Sequence, residues 1–187
     1  MKTRLLLGLL GLAILAQLAA PASMILRRER VLARGQAFKF RTVPVDPYDA
    51  FRGRYVALRF DRTAVALPPG RDFARGQKVH ALLAEGEDGF AFFRELRRER
   101  PGTEPYLTTT IQYMSGTNAF LALPFERFYM DEYEAPEAER VVWRNSVRSN
   151  QNAYVQVRIE QGFGVIEDLY VAGTPIRTYL EQNPAPR

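Results

Sequence analysis

The chain has no cysteine, one histidine and only three lysines, and each shortage closes off some chemistry. Without cysteine there is no disulfide framework, no thiol nucleophile and no thiolate metal or iron–sulfur site. A core of ordinary size needs no such staple, so this absence leaves the redox compartment open. His80 is the sole imidazole, which excludes every zinc signature built on a histidine pair and would force any Ser-His-Asp triad through that one residue. No Gly-x-Ser-x-Gly elbow surrounds a serine. His80 follows Val79 in an expected strand and reads as a structural or solvated side chain. A serine–lysine dyad would have to draw on Ser23, Ser115, Ser146 or Ser149 with Lys39 or Lys78. Nothing beside them in the sequence would activate a hydroxyl or lower a lysine pKa. Gly35 and Gly53 stand without the neighbours of a phosphate-binding loop. Asp46, Asp49, Asp61, Glu132 and Glu134 lack the alternating spacing of a calcium loop. The expectation is no metal, no cofactor and no catalytic residue set.

The basic residues are nearly all arginine. With 26 Lys and Arg against 21 Asp and Glu the net charge is +5. Residues 1–26 contribute Lys2 and Arg4 and no acid, so the remainder carries 24 − 21 = +3. That balance is too mild to predict a nucleic-acid partner, for which a clustered basic face is expected. Arginine pairs bidentately with carboxylates and phosphates, so acidic partners and lipid headgroups stay open. Apolar residues make up 47% and charged residues 25%, the composition of a folded domain.

Long apolar runs are absent except at the start. From Leu5 to Leu26 the chain reads LLLGLLGLAILAQLAAPASMIL, 22 residues without a charge. At ~1.5 Å per residue a helix of that length covers the ~30 Å hydrocarbon layer. Lys2 and Arg4 precede it, and Arg27, Arg28 and Arg30 stop it. Ala20-Pro21-Ala22 before Ser23 resembles a signal cleavage site. However, Pro21 lies within that site and the apolar run resumes at Met24-Ile25-Leu26, so a retained anchor is favoured. Residues 1–26 are thus read as a transmembrane anchor that contacts the bilayer through residues 5–26. Basic flanks on both sides nearly cancel the positive-inside bias. A short basic N-terminus points to that end being cytoplasmic and residues 27–187 lying outside.

Residues 27–35 read as a juxtamembrane helical extension ending at Gly35. Residues 36–180 read as one mainly β domain and residues 181–187 as a flexible tail. Ala37–Val43 alternates as a half-buried strand, and Arg54–Phe60 does so most clearly, with Val56, Leu58 and Phe60 on one face. Gln77–Glu85 and Gly89–Arg98 predict a hairpin, as do Tyr106–Met114 and Ala119–Leu123 around Ser115-Gly116-Thr117-Asn118. Residues 134–148 turn helical, with Pro136 and Glu137 suited to a helix start and Val141, Val142 and Trp143 near its middle. Asn152–Glu160 and Val165–Ala172 complete seven to nine strands. The predicted fold is a compact antiparallel β domain, sandwich or barrel-like, with one core helix.

Thr42–Phe60, TVPVDPYDAFRGRYVALRF, carries a resemblance. It is similar to the bacterial GDYXXLXY family, small proteins with an N-terminal membrane helix and a domain of uncharacterised function. The family pattern resembles Pro-x-Asp-Pro-x-Asp-x-x-Arg-Gly-Asp-Tyr-x-x-Leu-x-Tyr. Pro44, Asp46, Pro47, Asp49, Arg52, Gly53, Tyr55 and Leu58 stand at matching positions. Arg54 replaces the aspartate of the family pattern and Phe60 its last tyrosine, which removes one acidic candidate. Phe125-Glu126-Arg127-Phe128-Tyr129 before an acidic helix also looks like the family layout. The resemblance implies a membrane location and a recurring domain, and no reaction.

By themselves, the motif residues suit a turn. Gly53 supplies conformational freedom, Pro44 and Pro47 stiffen the chain, and Asp46 and Asp49 accept local amides. The expected role is a non-enzymatic, extracytoplasmic β module on the bacterial inner membrane, with its soluble domain periplasmic and docked to a membrane or envelope partner. One alternative is an envelope hydrolase using Asp46 or Asp49. Another is a binder of anionic lipid or glycan through Arg27, Arg28, Arg30, Arg52 and Arg54.

Overall fold

The computed structural model describes residues 2–44, 55–68, 70, 73–147 and 151–184, with side chains in the first helix from Gly8 onward. Helix α1 spans Lys2–Arg34 without interruption and contains Pro21. Gly8–Arg34 is long and apolar enough to cross a membrane. Its Leu9, Leu12, Leu15 and Leu18 are all more than half exposed, so this helix packs on nothing over its apolar length. Water would not tolerate such a surface and a bilayer would. The last turn behaves differently. Val31 is 2% exposed, and the Gly35 amide donates to the Val31 carbonyl at 2.8 Å to close the helix.

Twelve short strands and two further helices follow among the described residues: β1 (Gln36–Val43), β2 (Tyr55–Ala57), β3 (Arg59–Phe60), β4 (Ala64–Ala66), β5 (Lys78–Glu85), β6 (Ala91–Arg97), β7 (Tyr106–Ser115), β8 (Asn118–Ala122), β9 (Arg127–Tyr129), α2 (Ala135–Ser146), β10 (Ala153–Glu160), β11 (Phe163–Val171), β12 (Thr174–Pro175) and α3 (Ile176–Gln182). One antiparallel sheet has the order β12-β11-β10-β1-β3. A second runs β4-β8-β7-β5-β6 and curls until β4 lies near β6, so it is a nearly closed, barrel-like sheet. Strands β2 and β9 form a separate antiparallel pair. The mainly β, antiparallel, barrel-like architecture expected from the alternating pattern is present.

Apolar alternation places the core. Strand β10 buries every second residue, Ala153, Val155, Val157 and Ile159, and leaves those between them half-buried. Phenylalanines join the two large sheets: Phe40 of β1 lies 5.3 Å from Phe125 and 6.0 Å from Phe93 of β6, measured between ring centroids. Phe60 meets Phe125 edge-on at 5.5 Å. Each buried ring contributes about 1.5–3 kcal/mol by area, and each such pair about 0.5–1.5 kcal/mol more. Helix α2 begins with proline in its first turn and buries Ala135, Ala138, Val141 and Val142. Its last residue, Ser146, shares a 2.6 Å buried hydrogen bond with Thr42, whose hydroxyl is also 3.0 Å from the Ala153 carbonyl.

One sequence expectation needs correction. Of the strand expected over Arg54–Phe60, the described residues Tyr55–Phe60 form two strands and not one. Residues 55–57 pair with β9 and residues 59–60 with β1, and between them the Leu58 amide donates to the Glu126 carbonyl at 2.9 Å. Val56, Leu58 and Phe60 are all buried as expected, because alternation records which face is buried and not which strand is the neighbour. In α2, Val141 and Val142 are buried while Trp143 beside them is 46% exposed. After Pro175 the chain forms α3, a helix the sequence pattern did not indicate. Ile176 of α3 is fully buried, and tertiary packing supports a helix too short to show a period of its own.

Candidate functional site

The joint between anchor and domain is built first, because it orients everything else. Gly35 is wedged against β10, where a Cβ would meet the Ile159 nitrogen at 3.0 Å and Arg158 Cβ at 3.1 Å. Arg158 Nη1 donates to the Gly35 carbonyl at 3.3 Å. Arg30 pairs with Glu160 at 3.3 Å, and the Arg27 guanidinium sits 4.3 Å over the Phe163 ring at the tip of the β10–β11 hairpin. Gly162 shapes that tip with a φ of +79° and passes its carbonyl to the Thr108 amide at 2.9 Å. The hairpin end is therefore fixed beside the point where the apolar run stops.

Strand β9 stands between two concavities. The first is a cleft of about 630 Å³ between the β2–β9 pair and the β7–β8 hairpin. Tyr55, Leu58 and Phe60 of the motif border it, together with Arg59, Gln112, Tyr113, Phe120, Glu126 and Arg127. On one wall the Arg127 guanidinium sits 5.0 Å over the Tyr55 ring; Tyr129, 5.8 Å from Tyr55 between ring centroids, faces the second concavity instead. The hydrogen bond Arg127 donates to Tyr129, and the fields of Tyr55 and Tyr129, push the Arg127 pKa above its ordinary value, so it stays a fixed cation. On the other wall Tyr113 stacks on Phe120 at 4.4 Å with planes 11° apart, and Tyr113 is 45% exposed. Glu126 is the only carboxylate among the described lining residues, and two arginines share the cleft with it.

The second concavity, about 790 Å³, lies between α1 and strands β9 and β11. Arg28 and Leu32 of the helix, Phe163 of the hairpin tip, and Arg127, Asp168 and Arg177 are among its lining residues. Burial raises the Asp168 carboxyl above its usual range, against the amide of Leu169 and the charge of Arg177. Glu167 is held below its usual range by Arg158, whose Nε and Nη2 reach it at 2.7 and 2.9 Å.

The motif residues are divided by the structure. Tyr55, Leu58 and Phe60 come together at the first cleft. Pro44 is half-buried in a small recess beneath Glu139, Val142 and Trp143 of α2. Asp46, Pro47, Asp49, Arg52, Gly53 and Arg54 lie outside the described residues. The cleft residues that alternation did not single out are Tyr113, Phe120 and Arg127. The signal for the last was the Phe125–Tyr129 stretch; for the other two it was an aromatic on each side of the Ser115–Asn118 turn.

The remaining candidates have structural roles. His80 is 9% exposed; its Nδ1 lies 3.0 Å from Thr108 Oγ1, and its ring meets Tyr106 edge-on at 5.2 Å. Burial, then the positive charges of Arg100 and Lys78, lower its pKa from 6.5. The Ser23 hydroxyl donates to the Ala20 carbonyl at 2.7 Å within α1. Ser146 is engaged by Thr42. Among the described residues no group of three or more His, Asp or Glu side chains is placed to hold a metal ion.

Comparison with curated proteins and with solved structures gives no match. The family model described as GDYXXLXY protein matches residues 17–169, a span that takes in the end of the anchor, the joint, the first concavity, the second but for Arg177, and the motif strands. The chain belongs to the GDYXXLXY family.

Proposed function

We propose that this protein is a non-enzymatic binding module, tethered to the bacterial inner membrane by α1, with its β domain on the periplasmic side and docked to an envelope partner through the cleft at Tyr55, Arg59 and Tyr113. The observation that carries the reading is that three motif residues, the Tyr113–Phe120 stack and the Arg127-covered Tyr55 ring converge on one cleft. Its chemistry suits recognition. Exposed tyrosines provide large, stiff contact area, and Arg59 and Arg127 provide forked donors for a carboxylate or phosphate on the partner. General acid–base work needs paired groups with separated pKa values. The described lining offers one carboxylate between arginines instead.

The test is affinity purification of the full chain from gently solubilised membranes, comparing wild type with Arg59→Glu and Tyr113→Ala. Both side chains are exposed, so neither change attacks the core. Loss of a specific membrane or envelope protein from both variants supports the docking role. An unchanged set of co-purifying proteins contradicts it.

A further inference from the structure

The geometry points to a second site, beside the motif cleft and sharing Glu126 and Arg127 with it: the groove between α1 and β11 binds the headgroup of an anionic phospholipid from the leaflet in which the helix ends. Depth is the first argument. The apolar run stops at Leu26, and at ~1.5 Å rise per residue Arg28 lies roughly 3 Å beyond it and Leu32 roughly 9 Å. The headgroup layer is about 5–8 Å thick on each side of the hydrocarbon. Arg28 lines the groove at that depth and Leu32 just beyond it, so the bilayer end of the groove opens at headgroup level. The joint at Gly35 and Val31 keeps it there, because the helix cannot tilt away from β10 without opening a packed contact.

Chemistry is the second argument. Glu167 is already taken up by Arg158, which leaves Arg28, Arg127 and Arg177 opposite Glu126 and Asp168, with Arg27 at the rim on Phe163. Arg28 makes no ion pair among the described residues. A phosphodiester suits forked arginine donors, and Phe163, beneath Arg27 at the bilayer end of the groove, offers apolar wall to the glycerol and first methylenes. Phe163 is 36% exposed at the hairpin tip, where an aromatic ring belongs at a membrane interface. The volume of about 790 Å³ accommodates one headgroup with its glycerol.

The experiment uses the full chain in detergent micelles. Short-chain phosphatidylglycerol or phosphatidylcholine of equal chain length is titrated in, with bound lipid counted by native mass spectrometry. Wild type should hold phosphatidylglycerol preferentially. Arg28→Ala and Arg177→Ala should each weaken that binding about fivefold, and together about thirtyfold. Arg28→Lys should keep most of it, and Arg75→Ala, outside the groove, should change nothing. Free glycerol 3-phosphate should fail to displace the lipid; displacement at equal concentration would make this a site for a soluble phosphate and overturn the lipid assignment. Equal retention of both lipids, or a double variant that binds like wild type, would also overturn it. If the double variant fails to fold, the wild-type lipid preference and the Arg177→Ala single variant decide the matter. Failure here leaves the motif cleft untouched, since Arg59 and Tyr113 belong only to that cleft.

Discussion

Substituting Gly35→Ala should uncouple the anchor from the domain without unfolding either. The added methyl would sit 2.5 Å from the Val31 carbonyl oxygen, 3.0 Å from the Ile159 nitrogen and 3.1 Å from Arg158 Cβ. Two of the three are backbone atoms, which cannot rotate aside, so the overpacking cost is about 1–3 kcal/mol. The joint it opposes is modest. Burying Val31, 2% exposed, contributes about 1.5–3 kcal/mol, and the Arg158 bond to the Gly35 carbonyl about 1 kcal/mol. The half-exposed Arg30–Glu160 pair contributes at most about 1 kcal/mol. The methyl therefore offsets a large share of what holds the helix to β10, while the phenylalanine core between the sheets is untouched. The cysteine-free sequence makes the assay clean. Spin labels at Ala13→Cys and Thr117→Cys, with the chain in lipid nanodiscs, report the anchor-to-domain distance by double electron–electron resonance. Wild type should give one narrow distribution and Gly35→Ala a broad one at nearly the same unfolding temperature. Gly102→Ala, where a Cβ meets nothing within 4 Å, should leave the distribution narrow. A wild-type distribution as broad as that of Gly35→Ala would refute the rigid joint and, with it, the fixed depth of the groove.

Further outcomes follow from single contacts. Gly162 and Gly173 both have φ near +80°, but only at Gly162 would a Cβ collide with Tyr106 and Thr108. Gly173→Ala should therefore cost about 1–2 kcal/mol from backbone strain alone and Gly162→Ala about 2–5 kcal/mol, read by denaturant titration; equal costs would show that the hairpin tip is not pressed against β7. His80 binds its proton more weakly folded than unfolded, so unfolding takes up a proton. The stability it contributes is complete above about pH 6.5 and falls as the pH drops through the folded value, so His80→Gln should flatten the unfolding temperature between pH 7 and pH 5; an unchanged slope would contradict this. Thr42→Val strands the Ser146 hydroxyl and should cost about 1–3 kcal/mol, of which adding Ser146→Ala recovers part. Additive losses in the double variant would show that the two hydroxyls are not coupled.

Much of this fold was legible because its signals are local. The anchor follows from an uncharged run, the hairpins from alternation around glycine-containing turns, and α2 from its proline and acidic start. What escaped depended on distant partners. Strand β9 is three residues long, and only pairing with β2 makes it a strand. Leu58 alternates smoothly while its backbone leaves one neighbour for another. Ile176 starts a helix because a buried position awaits it, which seven residues of sequence do not reveal. The site was half legible for the same reason. Sequence singled out Tyr55, Leu58 and Phe60, but their opposite wall, Tyr113 and Phe120, comes from a hairpin about sixty residues further on, brought there only by the closing of the second sheet.

The most direct test of the docking role is site-specific photo-crosslinking in intact membranes. A benzoylphenylalanine at Tyr113 or at Arg59 should capture the same envelope protein, while one at Ala172, on the exposed β11–β12 turn, should capture none. Adducts of equal yield at all three positions, or no adduct at either cleft position, would contradict the claim that the motif cleft is where this domain meets its partner.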